Sequence, residues 1–129
     1  MLSRTEIFGY APKKEYSKSV AYFSMEFAID QSLKIYSGGL GFLAGSHMRS
    51  AFELKQNLVG IGMLWKYGYY DQVRSINGAM KADYVQKYYS FLTDTGIVFP
   101  VEVHSAIVYV KAYLLKPEVF GTAPIFLLS

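Results

Sequence analysis

The chain has 129 residues, of which 52% are hydrophobic and 18% are charged, so it can fold around one core rather than remain disordered. Its net charge of +3 comes from scattered basic residues, which argues against nucleic-acid binding, and the absence of cysteine excludes disulfides and cysteine–zinc sites. No apolar run approaches the ~18 residues of a membrane span, and residues 1–19 lack the apolar core of a signal peptide, so we expect a cytoplasmic protein without a membrane partner.

The first 18 residues are polar and basic, with Gly9 and Pro12 as breakers of regular structure. They predict a loose lead-in with one short helical turn, followed by a domain over residues 19–129. Residues 20–25 form a continuous apolar and aromatic run, which predicts a buried strand. Glu26 follows at the carboxyl end of that strand, where parallel sheets place ligand groups. Glu26 is therefore a candidate site residue, although a surface or capping carboxylate explains its position equally well.

Four glycines fall within eight residues, from Gly38 to Gly45, and an apolar pattern of helical period follows over residues 41–55. Ala44, Met48, Ala51 and Phe52 share one face of this helix, and Asn57 is a plausible left-handed stop. A glycine loop that begins a helix offers unpaired N–H groups and the positive end of the helix dipole, which together favour an anion, most often phosphate. A tight turn with close helix–strand packing is the alternative. His47, inside the helix, is more typical of a structural residue than of a catalytic one.

The second half of the chain changes in character. Residues 58–64 predict a second buried strand whose glycines at period two admit a close neighbour, completing a βαβ unit. Asn77-Gly78 predicts a hairpin with a two-residue turn, and a further hairpin turns at His104-Ser105. Residues 124–128 begin one more buried strand, and because the sequence stops inside this run we interpret the chain as truncated.

Three known kinds of phosphate loop can be compared with the glycine loop. Residues 39–44 fit the dinucleotide pattern G-x-G-x-x-A, but the first strand ends about ten residues too early and no Asp or Glu follows the second strand. A kinase-like loop is excluded, because no Gly-Lys-Ser/Thr follows. Starch and glycogen synthases also carry Gly-Gly-Leu-Gly, but with a lysine two residues before the first glycine; Tyr36 stands there, and Lys34 lies two residues further back.

Four motifs, in order, resemble the N-terminal part of the α-glucan phosphorylases, most closely the shorter bacterial type. They are Tyr-Phe-Ser-Met-Glu-Phe at 22–27, Ser-Gly-Gly-Leu-Gly-Phe-Leu-Ala-Gly at 37–45, Leu-Val-Gly-Ile-Gly at 58–62 and Tyr-Gly-Tyr-Tyr at 67–70. The final residues, 117–129, also look like that family. The resemblance covers roughly residues 18–129, and several motifs at matching spacing are far more specific than a lone glycine loop.

The resemblance implies an α/β fold, the N-terminal Rossmann-like half of a type B glycosyltransferase with inserted β-hairpins. Such enzymes use inorganic phosphate to release glucose 1-phosphate from an α-1,4-glucan, with pyridoxal phosphate as cofactor. The resemblance is also compatible with a homo-oligomer of the full-length protein. By position, the N–H groups of Gly38, Gly39 and Leu40 would hold the phosphate and the glucose, and Gly41 would shape the turn. Glu26 matches the family's glutamate in the cleft near the phosphates.

Two positions depart from the long, animal-type enzymes: Ser37 stands in place of an asparagine, and Ala28 in place of a tyrosine near the cofactor. The family's cofactor lysine and basic phosphate-binding residues belong to a C-terminal half that is not in this sequence. We therefore assign no catalytic residue or metal ligand and expect the chain alone to be inactive. A non-catalytic α/β sugar-binding or interaction domain is the alternative from another class, and a reading frame that continues past Ser129 into a pyridoxal-phosphate lysine would decide between them.

Overall fold

Three helices and seven strands make up the chain, and the computed structural model describes all residues 1–129. The helices are α1 (Arg4–Phe8), α2 (Gly39–Glu53) and α3 (Pro117–Phe120), with one 3-10 turn at Lys14–Tyr16. The strands are β1 (Val20–Phe23), β2 (Leu58–Met63), β3 (Asp71–Arg74), β4 (Met80–Asp83), β5 (Thr93–Val103), β6 (Ala106–Leu115) and β7 (Ile125–Leu128).

The main sheet has five strands in the order β1-β2-β7-β6-β5. β1 pairs with β2 and β2 with β7 in parallel, whereas β7–β6 and β6–β5 are antiparallel. The predicted unit of strand, glycine loop, helix and parallel strand is confirmed by β1, α2 and β2. The last apolar run forms β7 and has a partner on each side, so the α/β class is confirmed with a mixed sheet.

Both predicted hairpins are present, but they differ in position and turn. β3 and β4 form a separate two-stranded sheet, whereas β5 and β6 extend the main sheet. The β3–β4 connection is a three-residue loop over residues 76–78 rather than the expected two-residue turn, because Ser75 N donates to Ala79 O (2.9 Å) and Gly78 alone takes a left-handed backbone. The β5–β6 turn does have two residues, His104 (φ 48°) and Ser105 (φ 63°).

The core lies between α2 and the sheet. α2 buries Ala44, Met48 and Ala51, as its apolar spacing predicted. The two glycines of β2 admit close neighbours, which confirms their expected role: a Cβ at Gly60 would lie 2.9 Å from Met48 Cε, and one at Gly62 would lie 2.7 Å from Phe27 Cε2.

Two local predictions are wrong. β1 is an edge strand with one neighbour, and Phe23 is 72% exposed, so the apolar run of residues 20–25 is not a buried strand. An apolar run reveals the chemistry of a strand but not whether both of its faces are covered. Lys55 (φ 53°), not Asn57, takes the left-handed conformation after α2. Asn57 is instead buried, and its side chain accepts a hydrogen bond there from Arg4 Nη2 (2.6 Å).

The first 18 residues pack against the domain, so the expected looseness is corrected, while the short helical turn is confirmed as α1. Ser3 and Glu6 form a capping box at its start, and Phe8 is buried. Tyr10 Oη donates to Gln56 O (2.9 Å) and Lys13 N to Lys55 O (3.1 Å). These contacts fasten the segment to the end of α2. No helix of the chain is both long and apolar enough to span a membrane.

Candidate functional site

The carboxyl ends of β1, β2 and β7 meet at one edge of the sheet, where parallel α/β sheets place ligands. Two hydrogen bonds hold this edge together beyond the strands. Leu64 N donates to Leu128 O (2.8 Å), and the indole Nε1 of Trp65 donates to Met25 O (3.1 Å). The segments that follow β1 and β2 are thereby fixed side by side.

The glycine loop leads directly into α2. Gly38 precedes the helix in extended conformation and offers no side-chain cap, and the first hydrogen bond of the helix runs from Phe42 N to Gly38 O (3.3 Å). The N–H groups of Gly39, Leu40 and Gly41 have no partner in the chain. A Cβ at Gly38 or Gly39 would meet nothing within 4 Å, so the space before the helix is open. This arrangement can accept an anion on backbone donors at the positive end of a helix.

Gly41 has a different position from the one expected. It is the third residue of α2 and is buried, with no left-handed backbone, so it does not shape the turn. A Cβ there would lie 2.8 Å from Tyr36 Cβ and 3.3 Å from Glu26 Oε2. Gly41 therefore allows the start of the helix to pack against the loop that precedes it.

Glu26 and Ser37 are brought together at the edge of the loop. Ser37 donates twice to the Glu26 carboxylate, from Oγ to Oε1 (3.1 Å) and from N to Oε2 (3.3 Å). Glu26 is itself held by Ser24, whose Oγ donates to the Glu26 carbonyl (2.7 Å). All six predicted site residues thus lie in one place, with Glu26 fixing the conformation of the loop at Ser37.

An aromatic wall beside the loop was not predicted as part of the site. Tyr36, Trp65 and Tyr69 join Glu26 and Ser37 around a pocket of about 160 Å³, called here the loop pocket. Trp65 follows β2 at the carboxyl edge just as Glu26 follows β1, so the rule that identified Glu26 also applies to it. Tyr69 comes from the next segment, whose backbone is fixed by Tyr69 N donating to Lys34 O (2.8 Å).

His47 and Arg49, both in α2, have structural contacts. The His47 ring lies against Tyr22, with centroids 4.7 Å apart. Arg49 donates from Nη1 to Phe120 O (2.7 Å) and from Nη2 to Ile29 O, joining α3 to the segment after β1. The chain contains no group of three or more His, Cys, Asp or Glu side chains placed to hold a metal ion.

Fold and site together define a mixed α/β protein with an open glycine loop at the start of a helix, beside an aromatic pocket. No protein-family model matches the chain. An uncharacterized protein of Methanocaldococcus jannaschii is 57% identical to it over 112 residues, 87% of this chain and 22% of that protein. The maltodextrin phosphorylase of Thermococcus litoralis is 48% identical over 58 residues, 45% of this chain and 7% of the enzyme. The glycogen phosphorylase of Mycobacterium tuberculosis is 44% identical over 59 residues, 46% of this chain and 7% of the enzyme.

These alignments show a partial similarity to α-glucan phosphorylases over nearly half of the chain. The chain spans about a fifth of the length of the archaeal relative and less than a tenth of the length of the two phosphorylases.

Proposed function

We propose that the chain is the N-terminal part of an α-glucan phosphorylase, which uses inorganic phosphate to release glucose 1-phosphate from the end of an α-1,4-glucan. The observation that carries the proposal is the start of α2, where Gly38 and Gly39 leave open space and the N–H groups of Gly38, Gly39 and Leu40 have no partner. The partial similarity to maltodextrin and glycogen phosphorylases supports the same assignment.

In this proposal the chain is the first part of the Rossmann-like N-terminal half of a type B glycosyltransferase. The parallel strands β1, β2 and β7, with α2 as the connection between the first two, are compatible with such a half. The glycine loop stands at the carboxyl edge of these strands, where the cleft between two halves would lie.

Each residue of the loop has a separate task in the proposed reaction. The N–H groups of Gly39 and Leu40, with that of Gly38, donate to the substrate phosphate and stabilise its charge. Glu26, held by Ser37, keeps the loop in the conformation that presents these donors. Gly41 keeps the helix start close to the loop. The chain thereby binds and orients the phosphate without supplying a proton.

The open loop fits an anionic phosphate group. In the cofactor-dependent reaction, this chain would therefore contribute the binding of phosphate. When bound, pyridoxal phosphate would supply an acidic phosphate group that can exchange a proton with the substrate phosphate. Its lysine is proposed to lie in the C-terminal half, and no lysine of this chain lines the loop pocket. Lys34 is not among the lining residues, so it does not replace the lysine that starch and glycogen synthases carry before this loop. This absence weakens the alternative that the chain is part of such a synthase.

Phosphate titration of the isotopically labelled chain, followed by NMR, tests the proposal. We expect saturable shifts of the Gly38, Gly39 and Leu40 amide signals. Gly39→Ala should weaken phosphate binding by at least about tenfold, because a hydrogen bond to a charged group contributes ~1.5–3 kcal/mol and a Cβ at this position obstructs the approach. In a longer protein containing this chain, the same variant should lower the turnover of phosphorolysis by about 10²–10³.

Ser46→Ala is the matched control, because Ser46 is an exposed residue of the same helix. It should bind phosphate as the unmodified chain does. If Gly39→Ala also binds phosphate normally and instead melts several degrees lower, the loop is a structural turn and the proposal is wrong. Phosphate binding without phosphorolysis in a longer protein would favour a non-catalytic sugar-binding domain.

A further inference from the structure

The β5–β6 hairpin carries an apolar surface on one of its two faces. Residues directly opposite each other in an antiparallel pair lie on the same face of a sheet, and every second residue of a strand returns to that face. The register therefore places six residues on one face of the hairpin, three from each strand. All six are apolar, and they are called here the hairpin face: Phe99, Val101, Val103, Ala106, Val108 and Val110.

Most of the hairpin face is open to solvent. Four of its side chains are between 36% and 46% exposed: Phe99, Val101, Val103 and Val108. Further along β6, the same row of alternate residues continues with Ala112 and Leu114, which are both buried. The hairpin face is thus the outward continuation of a row whose inner end belongs to the core, and its outer end has no cover within the chain.

The opposite face of the hairpin is mixed in character. Its six residues are Val98, Pro100, Glu102, Ile107, Tyr109 and Lys111. Glu102 and Lys111 give this face a charge of each sign, and the Tyr109 hydroxyl adds a polar group. Water can hydrate such a mixture, whereas the hairpin face has no polar side chain at all. An asymmetry of this kind indicates that the apolar side packs against another surface.

Pairing along the outer edge of β5 is disfavoured as the mode of contact. β5 is an edge strand of the main sheet. Pro100 lies in the middle of it, and a proline in an edge strand has its nitrogen on the solvent side, where it offers no N–H to another strand. A register shift between Asp94 and Val98 disturbs the ladder nearby. A partner would therefore meet the hairpin through its apolar face.

We propose that the hairpin face packs against the same face of a second copy of the chain, forming a dimer with two-fold symmetry. Two sheets that pack face to face interdigitate their side chains at a spacing of about 10 Å. The chain has a net charge of +3, but none of its charged residues lies on the hairpin face, so two copies bring no like charges into contact there. A two-fold dimer uses one patch twice, and a uniformly aliphatic patch is complementary to itself. The inference does not depend on the function of the glycine loop.

The size of the hairpin face limits the strength of this dimer. The face extends over five residues of each strand, which is roughly 17 Å, and over two strands, which is roughly 10 Å. Its area is therefore well below the ~800 Å² per partner of a standard interface. We expect a reversible dimer whose dissociation constant is micromolar or weaker, rather than a permanent assembly.

Sedimentation velocity of the 129-residue chain tests the proposal. We expect a monomer at about 5 μM and a large fraction of dimer at about 500 μM, as an interface of this size allows. The dimer should not weaken in about 1 M NaCl, which screens ionic attractions, because the contact contains no charge. Val108→Lys should weaken dimerisation by at least about tenfold, since each copy would bury an ammonium group.

Ile107→Lys is the matched control. Ile107 is the preceding residue of the same strand, is 60% exposed and lies on the opposite face of the hairpin. This variant carries the same new charge as Val108→Lys and should dimerise as the unmodified chain does. Thermal unfolding followed by circular dichroism checks that both variants fold. If Val108→Lys does not fold, Val108→Thr replaces it, because threonine keeps a β-branched side chain suited to a strand, and it should weaken dimerisation severalfold.

A chain that stays monomeric at every concentration would overturn the proposal and leave the hairpin face to a partner of another kind. Equal weakening by Val108→Lys and Ile107→Lys would also overturn it, as would a dimer that persists in Val108→Lys. NMR spectra of the labelled chain over a dilution series give an independent measurement. The amide signals of residues 99–110 should move with concentration, whereas unchanged signals in a chain that dimerises would assign the interface elsewhere and refute the hairpin face.

Discussion

The four glycines between residues 38 and 45 divide into two pairs with different physical roles. Gly38 and Gly39 face open space, whereas Gly41 and Gly45 lie where the helix touches the segment after β1. A Cβ at Gly45 would overlap the carbonyl oxygen of Ala28 and lie 2.9 Å from its carbonyl carbon. Close packing, one of the two interpretations that the sequence left open, therefore applies to Gly41 and Gly45, and the proposed anion site concerns only Gly38 and Gly39.

This division predicts opposite effects of alanine at two of the glycines. Gly45→Ala should lower the free energy of unfolding by about 1–2 kcal/mol, because the overlap with a backbone carbonyl outweighs the ~1 kcal/mol gain in helix propensity. Gly39→Ala should melt at the same temperature as the unmodified chain or higher. Thermal unfolding followed by circular dichroism measures both. Equal melting temperatures for Gly45→Ala and the unmodified chain would contradict the packing role.

The candidate site was predictable as a set of residues but not as a set of contacts. Glycine spacing and the position of Glu26 after a strand were sufficient to identify the loop and its neighbour. The sequence does not show that Ser37 donates to Glu26, since the two residues are eleven positions apart and joined by an irregular segment. The aromatic wall was missed because Tyr36 precedes α2, whereas Trp65 and Tyr69 lie in the connection between β2 and β3, and only the folded chain brings the two segments together.

Among the elements, the β5–β6 hairpin carries the least favourable turn. His104 and Ser105 both have positive φ, a backbone region that costs residues with a Cβ roughly 1–2 kcal/mol each. A two-residue turn of this kind favours glycine and asparagine. The turn is nevertheless formed, because the register from Val98 to Val103 against β6 leaves only these two residues to connect the strands.

Ser105→Gly should therefore stabilise the end of this hairpin. We expect amide hydrogen exchange of residues 102–107 to slow by about two- to fivefold, since the relief of the left-handed backbone exceeds the added entropy of the unfolded chain. Ser105→Ala retains the Cβ and should show no slowing. Equal exchange rates in Ser105→Gly and the unmodified chain would show that the turn is not strained.

At the same scale, the strands and α2 were predicted near their observed positions, because apolar periodicity and glycine punctuation are local properties. The neighbours of each strand are not local. The pattern of residues 20–25 does not predict that β1 forms an edge of the sheet. The pattern of residues 124–128 likewise does not predict that β7 lies between β2 and β6. Pairing between strands that are distant in the sequence determines which strand lies at an edge and which lies between two neighbours. The local residue pattern of one strand does not reveal this order.

At the scale of the whole molecule, the N-terminal segment joins the domain through Tyr10. Its hydroxyl donates to Gln56 O, and its ring packs edge-on against Phe52 with centroids 5.7 Å apart. Burial raises the pKa of Tyr10 to about 12. Because the folded-state pKa is raised, this contribution to stability is fully present below the ordinary pKa of ~10 and is lost as the pH rises through about 12.

An alkaline absorbance titration checks this assignment. The difference between the unmodified chain and Tyr10→Phe should show a single tyrosinate that forms near pH 12. If the Tyr10 difference instead appears near pH ~10, the ordinary value for tyrosine, the N-terminal segment does not hold this phenol against α2.

The position of β7 has a consequence for how the protein is made. A ribosome synthesises β1, β2, β5 and β6 first, yet the strand that joins β2 to β6 is synthesised after all of them. Until Ile125–Leu128 emerges, the nascent chain holds a parallel pair and an antiparallel hairpin whose facing edges both lack a partner. Strands other than β7 can pair with open edges of this kind, because the edges present unpaired N–H and C=O groups. The nascent chain is therefore most exposed to chaperones, and to mispairing, in the interval just before β7 is complete.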